Sequence, residues 1–502
     1  MRTRIATVAA LFAIGFGILL CRALVFHLAP NAKLEKVALR QYRTAVREST
    51  RRGKILDAVG RELAINIQVE SLYANPRAIT NPSDTATKLA RILKLQRPRL
   101  EERLRSKRKF EWIKRRLTSD EARIVKALNL PGVFTMHESK RAYPNGKLAS
   151  TILGAVGLDA EGLAGMELVY DDLLISRSTP GRYARDARGH LYLSPTDVEN
   201  ERRLAHIQLT IDQTLQYIAE DELESGVKSA FARGGVVVAV DPMTGAILAM
   251  ASTPRFDPNH YADFDPSTWK NRAVTDSFEP GSTLKAMIVA AALDDLRVTP
   301  EQVFDCERGE MRIGSEVIHD THSHGKLSVA DIVKVSSNIG AAKIARTFSR
   351  QELQATMARF GFGHSLGIEL PGEAAGILPR KAAWSELTQA TVAFGQGISA
   401  TPLQMTMAFV SMANGGELLR PGLVKRAVDV NGDEVKVFER QVLSRPLKPE
   451  TARLMTHLLE AVVKEEGTGT LAASPEYPVA GKTGTAQKVD PNLGVYADGK
   501  YY

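Results

Sequence analysis

The sequence predicts an α+β protein with a single N-terminal transmembrane helix, and three observations support that prediction. Residues 5–21 contain no charged side chain. From His206 onward, strand-like alternation and two apolar runs precede helical patterns over about 286–412, and strand character returns at 479–486. A sheet whose strands come from both ends of a domain, with helices between them, is an α+β layered arrangement.

The uncharged N-terminal stretch predicts a membrane anchor rather than a cleaved leader. Arg2 and Arg4 precede it, and positive charge before a span puts the N-terminus in the cytoplasm and the remaining chain outside. Arg22 interrupts an apolar run that continues to 28, but an arginine can snorkel to the membrane interface. We therefore predict a cytoplasmic tail over 1–4 and a single-pass anchor over 5–28 in the inner membrane. The alternative, a signal peptide, lacks a clear small-x-small site after the run.

Composition and charge exclude several classes of protein. The chain has 502 residues, 44% hydrophobic and 25% charged, as in ordinary globular proteins of two or three domains. Between positions 97 and 116, ten Lys and Arg against three Glu give +7 of the net +9. This segment favours one solvated helix face over a binding patch, and no nucleic-acid-binding module is recognisable. Only Cys21 and Cys306 are present, which excludes an internal disulfide framework.

The exported body divides at about position 205. Residues 29–205 are polar, with short strand-like runs and one strongly helical stretch at 89–117, and we predict an elongated α+β domain there. We predict a second domain over 206–502. Its first elements are a strand at 207–211, a helix at 215–227, and a buried hairpin of two apolar runs at 235–240 and 246–250.

Ser282 and Lys285 are the strongest candidates for catalysis. Pro280 and Gly281 precede them and a long apolar run follows, which marks the start of a buried helix. Residues three apart share a helix face, burial lowers the pKa of a lysine, and a helix N-terminus favours a developing oxyanion. The alternative is that Ser282 only caps a core helix. The Ser-x-x-Lys spacing also occurs at 106–109, 225–228, 267–270 and 323–326, but none of these opens a long apolar helix after Pro-Gly.

Two further motifs each occur once. They are Ser336-Ser337-Asn338 and Lys482-Thr483-Gly484-Thr485. The first supplies a hydroxyl and an amide suited to passing a proton and holding a peptide group, although it is also a plausible helix cap. The second lies on a predicted strand whose glycines let another backbone approach, although an ordinary edge-strand lysine with a glycine bulge is the alternative.

The three motifs, in this order, resemble the active-site set of penicillin-binding proteins and serine β-lactamases. The surrounding sequence is similar to class B penicillin-binding proteins, and residues 271–282 look like the septal, FtsI-type branch. Upstream segments resemble the pedestal motifs of that class, with Ala58 departing from the usual Arg after Asp57. The segments that carry this wider resemblance are 52–64, 141–146, 162–171, 210–216, 241–245, 254–259, 395–404 and 467–469.

This resemblance covers nearly the whole chain and implies its architecture and activity. It implies a short tail, one anchor helix, an elongated pedestal over 29–205, and a serine β-lactamase-like transpeptidase domain over 206–502 with an antiparallel sheet and helices. The implied activity is that of a peptidoglycan D,D-transpeptidase, which cross-links stem peptides through a serine acyl-enzyme during septal cell-wall synthesis. The resemblance also implies that β-lactams acylate the protein.

The roles of the first site residues follow from the resemblance. Ser282 would attack the D-Ala-D-Ala carbonyl of a donor stem peptide, and Lys285 would accept its proton. Ser336 would help to deliver a proton to the departing D-alanine, and Asn338 would hold the donor's amide.

The resemblance assigns the last motif to substrate binding. Lys482, Thr483 and Thr485, with Gly484 between them, would hold the terminal carboxylate, which a penicillin mimics. The backbone N–H groups of Ser282 and Thr485 would form the oxyanion hole. This chemistry needs no metal or organic cofactor. The implied partners are stem peptides, β-lactams, the lipid bilayer, an FtsW-type glycosyltransferase and other divisome proteins.

Two alternatives differ in class from a transpeptidase. The first is a catalytically weak divisome scaffold whose pedestal recruits partners, and the second is a β-lactamase or β-lactam sensor. A fluorescent penicillin separates them, because a scaffold stays dark, a β-lactamase is labelled only transiently, and a transpeptidase stays labelled.

The end of the sequence departs from the family pattern. Family members continue after the Lys-Thr-Gly motif into further strands and a C-terminal helix, whereas this sequence ends at Tyr502. We therefore expect these C-terminal strands and the helix to be missing, and penicillin labelling of the 502-residue chain to be weak or absent.

Overall fold

The computed structural model describes residues 52–175, 204–380, 384–489 and 496–501, together with positions 7, 10, 12–20, 22, 183–185 and 191–193. They belong to two units, of which the first comprises residues 1–50 and 176–203 and the second comprises residues 51–175 and 204–502.

Runs of helices and mainly antiparallel strands are both present in the described chain, which confirms the α+β class. The strands are β1 (Ile55–Leu56), β2 (Glu62–Ala74), β3 (Glu111–Lys114), β4 (Val133–Ala142), β5 (Tyr183–Arg185), β6 (Leu191–Leu193), β7 (Ala205–Leu209), β8 (Gly235–Val240), β9 (Ile247–Thr253), β10 (Val303–Asp305), β11 (Glu310–Ile313), β12 (Glu316–His319), β13 (Lys326–Ser328), β14 (Leu418–Leu419), β15 (Val424–Asp429), β16 (Glu434–Val437), β17 (Val442–Ser444), β18 (Gln487–Val489) and β19 (Tyr496–Tyr501). The helices are α1 (Pro82–Leu93), α2 (Arg97–Leu104), α3 (Ser119–Ala127), α4 (Ser150–Leu153), α5 (Gly165–Val169), α6 (Asp171–Leu174), α7 (Gln213–Ser229), α8 (Arg272–Thr275), α9 (Lys285–Asp294), α10 (Val329–Val335), α11 (Asn338–Ala345), α12 (Arg350–Arg359), α13 (Glu386–Val392), α14 (Pro402–Ala413) and α15 (Pro449–Val463).

The first unit contains one described hairpin and some helical residues. Strands β5 and β6 pair antiparallel, and the described residues up to position 22 are helical. No helix in the described part of the chain has the length and apolar content needed to cross a membrane. The tail predicted over 1–4 and half of the positions of the anchor predicted over 5–28 lie outside the described residues.

A seven-stranded sheet forms the framework of the second unit. Its strand order is β16-β15-β7-β1-β2-β3, and β4 pairs with β2. Strand β1 runs parallel to β7, with Ile55 opposite Ile207, whereas β7 and β15 are antiparallel. The sheet thus joins strands from both sides of the boundary predicted at position 205, and the predicted domain limits stay a prediction.

The long helix predicted at 89–117 is wrong in part. Helix α1 ends at Leu93, because Lys94 adopts the left-handed conformation with φ +55°, which terminates a helix. Pro98 lies in the first turn of the separate helix α2. The last part of the stretch is strand β3, in which Trp112 lies opposite Tyr73 of β2. Tertiary pairing with β2 therefore overrides the local helical pattern.

Helix α9 lies at the centre of one of the large hydrophobic cores of the second unit. All ten of its residues are buried, and α10, α11 and α15 pack on it. The predicted hairpin is confirmed as β8 and β9, with Val238 opposite Met250, although β8 is half-buried rather than buried. The strand predicted at 207–211 and the helix predicted at 215–227 are confirmed as β7 and α7.

The strand predicted at 479–486 is wrong. Strand β18 begins only at Gln487 and pairs with β19, and residues 481–486 have no ladder partner in the described chain. These residues lie against the turn that carries Ser282 instead, and a Cβ on Gly484 would be 2.7 Å from Thr283 Cγ2. Strands β8–β9 and β18–β19 form separate two-stranded sheets. In the described residues the strands at 235–253 and those at 487–501 therefore do not share a sheet, although β7 and β15, from the start and the later part of the domain, are paired.

A buried ion network ties together the N-terminal part of the second unit. Glu167, which is 0% exposed, accepts from Arg52 Nε over 2.5 Å and from Arg141 Nε over 2.6 Å. Arg52 also pairs with Asp171 over 2.6 Å, and Arg141 donates to the Gly53 carbonyl over 2.7 Å. Because these side chains come from β4, from α5 and α6, and from the chain before β1, the network fixes those elements to one another.

We expect Glu167→Gln to destabilise the protein by about 3–5 kcal/mol, because it leaves two buried guanidinium groups without their shared counter-charge. The measurement is the midpoint of urea unfolding at unchanged slope. The control is Asp120→Asn, which breaks an exposed pair with Arg123 of the kind that contributes little. A midpoint shift no larger than that of the control would contradict this prediction.

Candidate active site

Ser282 lies on a short 3-10 turn, Gly281–Leu284, that leads directly into helix α9. The turn is closed by the Thr283 hydroxyl, which donates to the Pro280 carbonyl over 2.6 Å. Gly281 has φ +57°, a conformation that glycine adopts without strain. Ser282 is therefore half-exposed at the N-terminal end of a buried helix, where the helix dipole favours negative charge.

Lys285, the first residue of α9, has a side chain that is almost wholly excluded from water. It is 1% exposed. Its amine donates to the Ser336 carbonyl over 2.5 Å, to Ser336 Oγ over 3.2 Å and to Asn338 Oδ1 over 2.6 Å. An ammonium has three donors, and these three acceptors satisfy them all.

The two lysines of the site have lowered pKa values. Burial lowers the pKa of Lys285 well below its usual value; the charge of Lys482 lowers it further, and the Asp320 carboxylate acts in the opposite direction. Burial also lowers the pKa of Lys482 to about 8. Both amines therefore release a proton more readily than an exposed lysine, which is the property that a base needs at neutral pH.

Residues 336–338 form the turn between α10 and α11, which we call the Ser-Ser-Asn turn. Ser336 adopts the left-handed conformation, with φ 64° and ψ 42°, which is uncommon for a non-glycine residue. Ser337 is the N-cap of α11, because its Oγ accepts from the Gly340 N–H over 3.0 Å. The capping role considered for this motif thus belongs to Ser337, while Ser336 and Asn338 contact the Lys285 amine.

Asp320 belongs to this site and was missed by the sequence analysis. Its carboxylate accepts from Ser337 Oγ over 2.6 Å, from the Ile339 N–H over 3.0 Å and from the Asn338 N–H. Asp320 directly follows strand β12, and only the folding of the β11–β12 hairpin brings it to the Ser-Ser-Asn turn. Its local sequence gives no signal that separates it from an ordinary turn aspartate.

Lys482 reaches the same hydroxyl as Lys285. Its amine donates to Ser336 Oγ over 2.9 Å, and the neighbouring Thr483 hydroxyl bonds to Thr468 Oγ1 over 2.9 Å. The closeness of Gly484 to the turn that carries Ser282 explains why this position is glycine, since any Cβ would clash there.

The predicted site residues converge to different degrees. Lys285, Ser336, Asn338 and Lys482 are joined by hydrogen bonds. Within the described chain, Ser282 Oγ has no hydrogen-bond partner, and the Lys285 amine is directed to the Ser-Ser-Asn turn. The segment that carries Thr483, Gly484 and Thr485 borders the turn before α9, where a Cβ on Gly281 would be 3.0 Å from the Thr485 carbonyl oxygen.

Comparison with protein families identifies two matching domains. The penicillin binding protein transpeptidase domain matches residues 235–502. The penicillin-binding protein dimerisation domain matches residues 47–203.

Individual proteins are similar over most of the chain. Stage V sporulation protein D of Bacillus subtilis is 35% identical, over 90% of this chain and 70% of that protein. Peptidoglycan D,D-transpeptidase FtsI of Escherichia coli K12 is 33% identical, over 90% of this chain and 75% of that protein. The crystal structure of penicillin binding protein 3 from Mycobacterium tuberculosis, complexed with aztreonam, superposes with a TM-score of 0.69 at 26% identity, over 90% of this chain and 85% of that one.

Proposed function

We propose, because the chain belongs to the penicillin-binding protein transpeptidase family, that it is a peptidoglycan D,D-transpeptidase that cross-links stem peptides through an acyl-enzyme on Ser282. The observation that carries the chemistry is the buried amine of Lys285, one helical turn after Ser282. This amine and the amine of Lys482 both donate to the Ser336 hydroxyl. This arrangement supplies a nucleophile, a base and a fixed positive charge without a cofactor.

Acylation begins with attack of Ser282 Oγ on the carbonyl carbon of the penultimate D-alanine. Lys285, as the neutral amine, accepts the hydroxyl proton, and the backbone N–H groups of Ser282 and Thr485 stabilise the oxyanion. The C–N bond to the terminal D-alanine then breaks, and Ser336 passes a proton from the Lys285 ammonium to the departing amine. The product is an ester between Ser282 and the shortened stem peptide.

The two lysines have different roles in this mechanism because they differ in burial. A pKa of about 8 leaves Lys482 mostly protonated at neutral pH, so it holds the substrate carboxylate together with Thr483 and Thr485. Lys285 is more deeply buried and its pKa is lowered well below the usual value, which favours the neutral form that acts as the base in this mechanism. Asn338 holds the amide of the donor peptide.

The acyl-enzyme is resolved by an amine from a neighbouring stem peptide. That amine attacks the ester carbonyl, the Ser282 oxygen leaves and recovers a proton, and a new peptide bond cross-links the two strands. A β-lactam enters the same site because its amide and carboxylate match those of the donor, and it leaves a stable acyl group on Ser282.

We also propose where the protein acts, namely at the inner membrane and at the division septum. Segment 5–28 anchors the chain in the inner membrane, with residues 1–4 in the cytoplasm and the transpeptidase domain in the periplasm. The support is the charge pattern, with Arg2 and Arg4 before an uncharged stretch. Similarity to FtsI supports a septal role, in which an FtsW-type glycosyltransferase supplies the glycan strands and other divisome proteins assemble around the enzyme.

The membrane topology predicts the behaviour of a fused reporter. An enzyme that is active only outside the cytoplasm, fused after Ala205, should be active, and the fusion should stay in the membrane fraction at full length. Recovery of a soluble, N-terminally trimmed fusion would replace the anchor with a cleaved signal peptide.

The nucleophile is tested by covalent labelling with a fluorescent penicillin. Ser282→Ala should abolish labelling, because no other Ser-x-x-Lys serine in the described chain lies at the start of a buried helix. Ser267→Ala and Ser323→Ala are the controls, since each removes the serine of another Ser-x-x-Lys spacing and should leave labelling intact. Labelling that persists in Ser282→Ala would exclude this assignment, and rapid recovery of unlabelled parent protein would indicate a β-lactamase.

The base is tested by Lys285→Arg, which keeps the positive charge but cannot supply a neutral amine. The second-order rate of acylation should fall by about 10²–10⁴-fold, the usual contribution of a positioned base. Lys334→Arg on α10 is the matched control and should acylate at the parent rate. Near-parent acylation by Lys285→Arg would mean that Lys285 acts only as a fixed charge.

A further inference from the structure

We propose that Asp320 is a positioning residue of the acylation site, whose carboxylate clamps the Ser-Ser-Asn turn and balances the two lysines that meet there. This inference rests on the proposed transpeptidase function. Asp320 touches neither the nucleophile nor the substrate-binding segment through any hydrogen bond in the described chain, so its influence passes through the residues that it holds.

The clamp joins two separate parts of the fold. Asp320 belongs to the end of the β11–β12 hairpin, and its own N–H donates to the Gly309 carbonyl over 3.0 Å. Its carboxylate then accepts from the Ser337 hydroxyl and from the N–H groups of Asn338 and Ile339. One side chain thereby fixes the start of helix α11 to the hairpin.

The clamp is needed because Ser336 has a strained backbone. A left-handed serine persists only where the surrounding structure holds it, and Asp320 holds the three residues that follow. In this conformation the carbonyl and hydroxyl of Ser336 both accept from Lys285, and the hydroxyl also accepts from Lys482. If the turn relaxed, both lysines would lose a hydrogen-bond partner together.

Asp320 also supplies a negative charge beside two amines that repel each other. Its charge raises the pKa of Lys285, against the lowering effects of burial and of Lys482. The other titratable or charged groups that border this region are the Cys306 thiol, whose pKa burial raises, Asp305, Lys343 and His319.

The charge of Asp320 affects the pH at which the Lys285 amine loses its proton. Removing the negative charge of Asp320 lowers the pKa of Lys285 further, so the amine becomes neutral at a lower pH. If acylation requires the neutral amine, the acidic limb of its pH profile moves to lower pH. A residue with only a structural role would reduce the rate without moving that limb.

The test compares the full-length parent with Asp320→Asn, Asp320→Ala and Glu310→Gln. Asp320→Asn removes the charge while keeping a side chain of the same shape, and Asp320→Ala removes the clamp. Glu310→Gln makes the same charge change on the same hairpin, at an exposed side chain that makes no bond to the turn. The readouts are the rate of acylation by a fluorescent penicillin as a function of pH and the melting temperature of each variant.

We expect the acidic limb of Asp320→Asn to move to lower pH and the rate of Asp320→Ala to fall by about 10²-fold, as a displaced catalytic group causes. Glu310→Gln should do neither. An unmoved limb in Asp320→Asn, or a parent rate in folded Asp320→Ala, would overturn the inference. Labelling of the parent at a residue other than Ser282 would instead overturn the proposed function and this inference with it, so the two failures are distinguishable.

Discussion

A charged amine in an apolar surrounding must be given hydrogen-bond acceptors, and the catalytic part of the molecule is arranged around that need. Lys285 opens helix α9, in which every residue is buried, and an ionised group left there without partners would cost several kcal/mol. All three acceptors of its amine come from the Ser-Ser-Asn turn. The connection between α10 and α11 is therefore held against the start of α9, and the turn before α9 carries Ser282, the proposed nucleophile.

The two lysines of the site differ in burial. Both amines donate to Ser336 Oγ, but Lys285 is fully buried and Lys482 is only partly so. Burial disfavours the charged form, and it lowers the pKa of both amines. In the proposed mechanism the single hydroxyl between them is then the natural route for a proton, because it touches both the base and the group that holds the substrate carboxylate.

Local sequence predicts the parts of this site that depend on helix starts and on spacing. The apolar run after Pro280 and Gly281 predicts α9 and the positions of Ser282 and Lys285 on it. Alternation predicts β7, and two apolar runs on either side of a turn predict the β8–β9 hairpin, since both patterns are properties of neighbouring residues. The features that the sequence did not predict depend on distant partners. Strand β3 forms because β2 pairs with it, and Asp320 reaches the site only through its hairpin. The segment at 481–486 contains Thr483 and Thr485, which favour strands, yet it packs on a turn rather than in a ladder.

Helix α14 has two apolar faces, and each belongs to a different large core of the second unit. In α14, Leu403, Met407 and Val410 belong to the core that contains Ile55 and Ile207 of the large sheet. Met405, Ala408 and Met412 of the same helix belong to the core around α9. Within each set the positions are three or four residues apart, so each set lies on one face of the helix and closes one core. Protein interiors are packed at crystal-like density. A substitution that leaves a cavity on one face of α14 is therefore expected to disturb the packing on its other face. Helix α14 in this way completes both the core beside the large sheet and the core around α9.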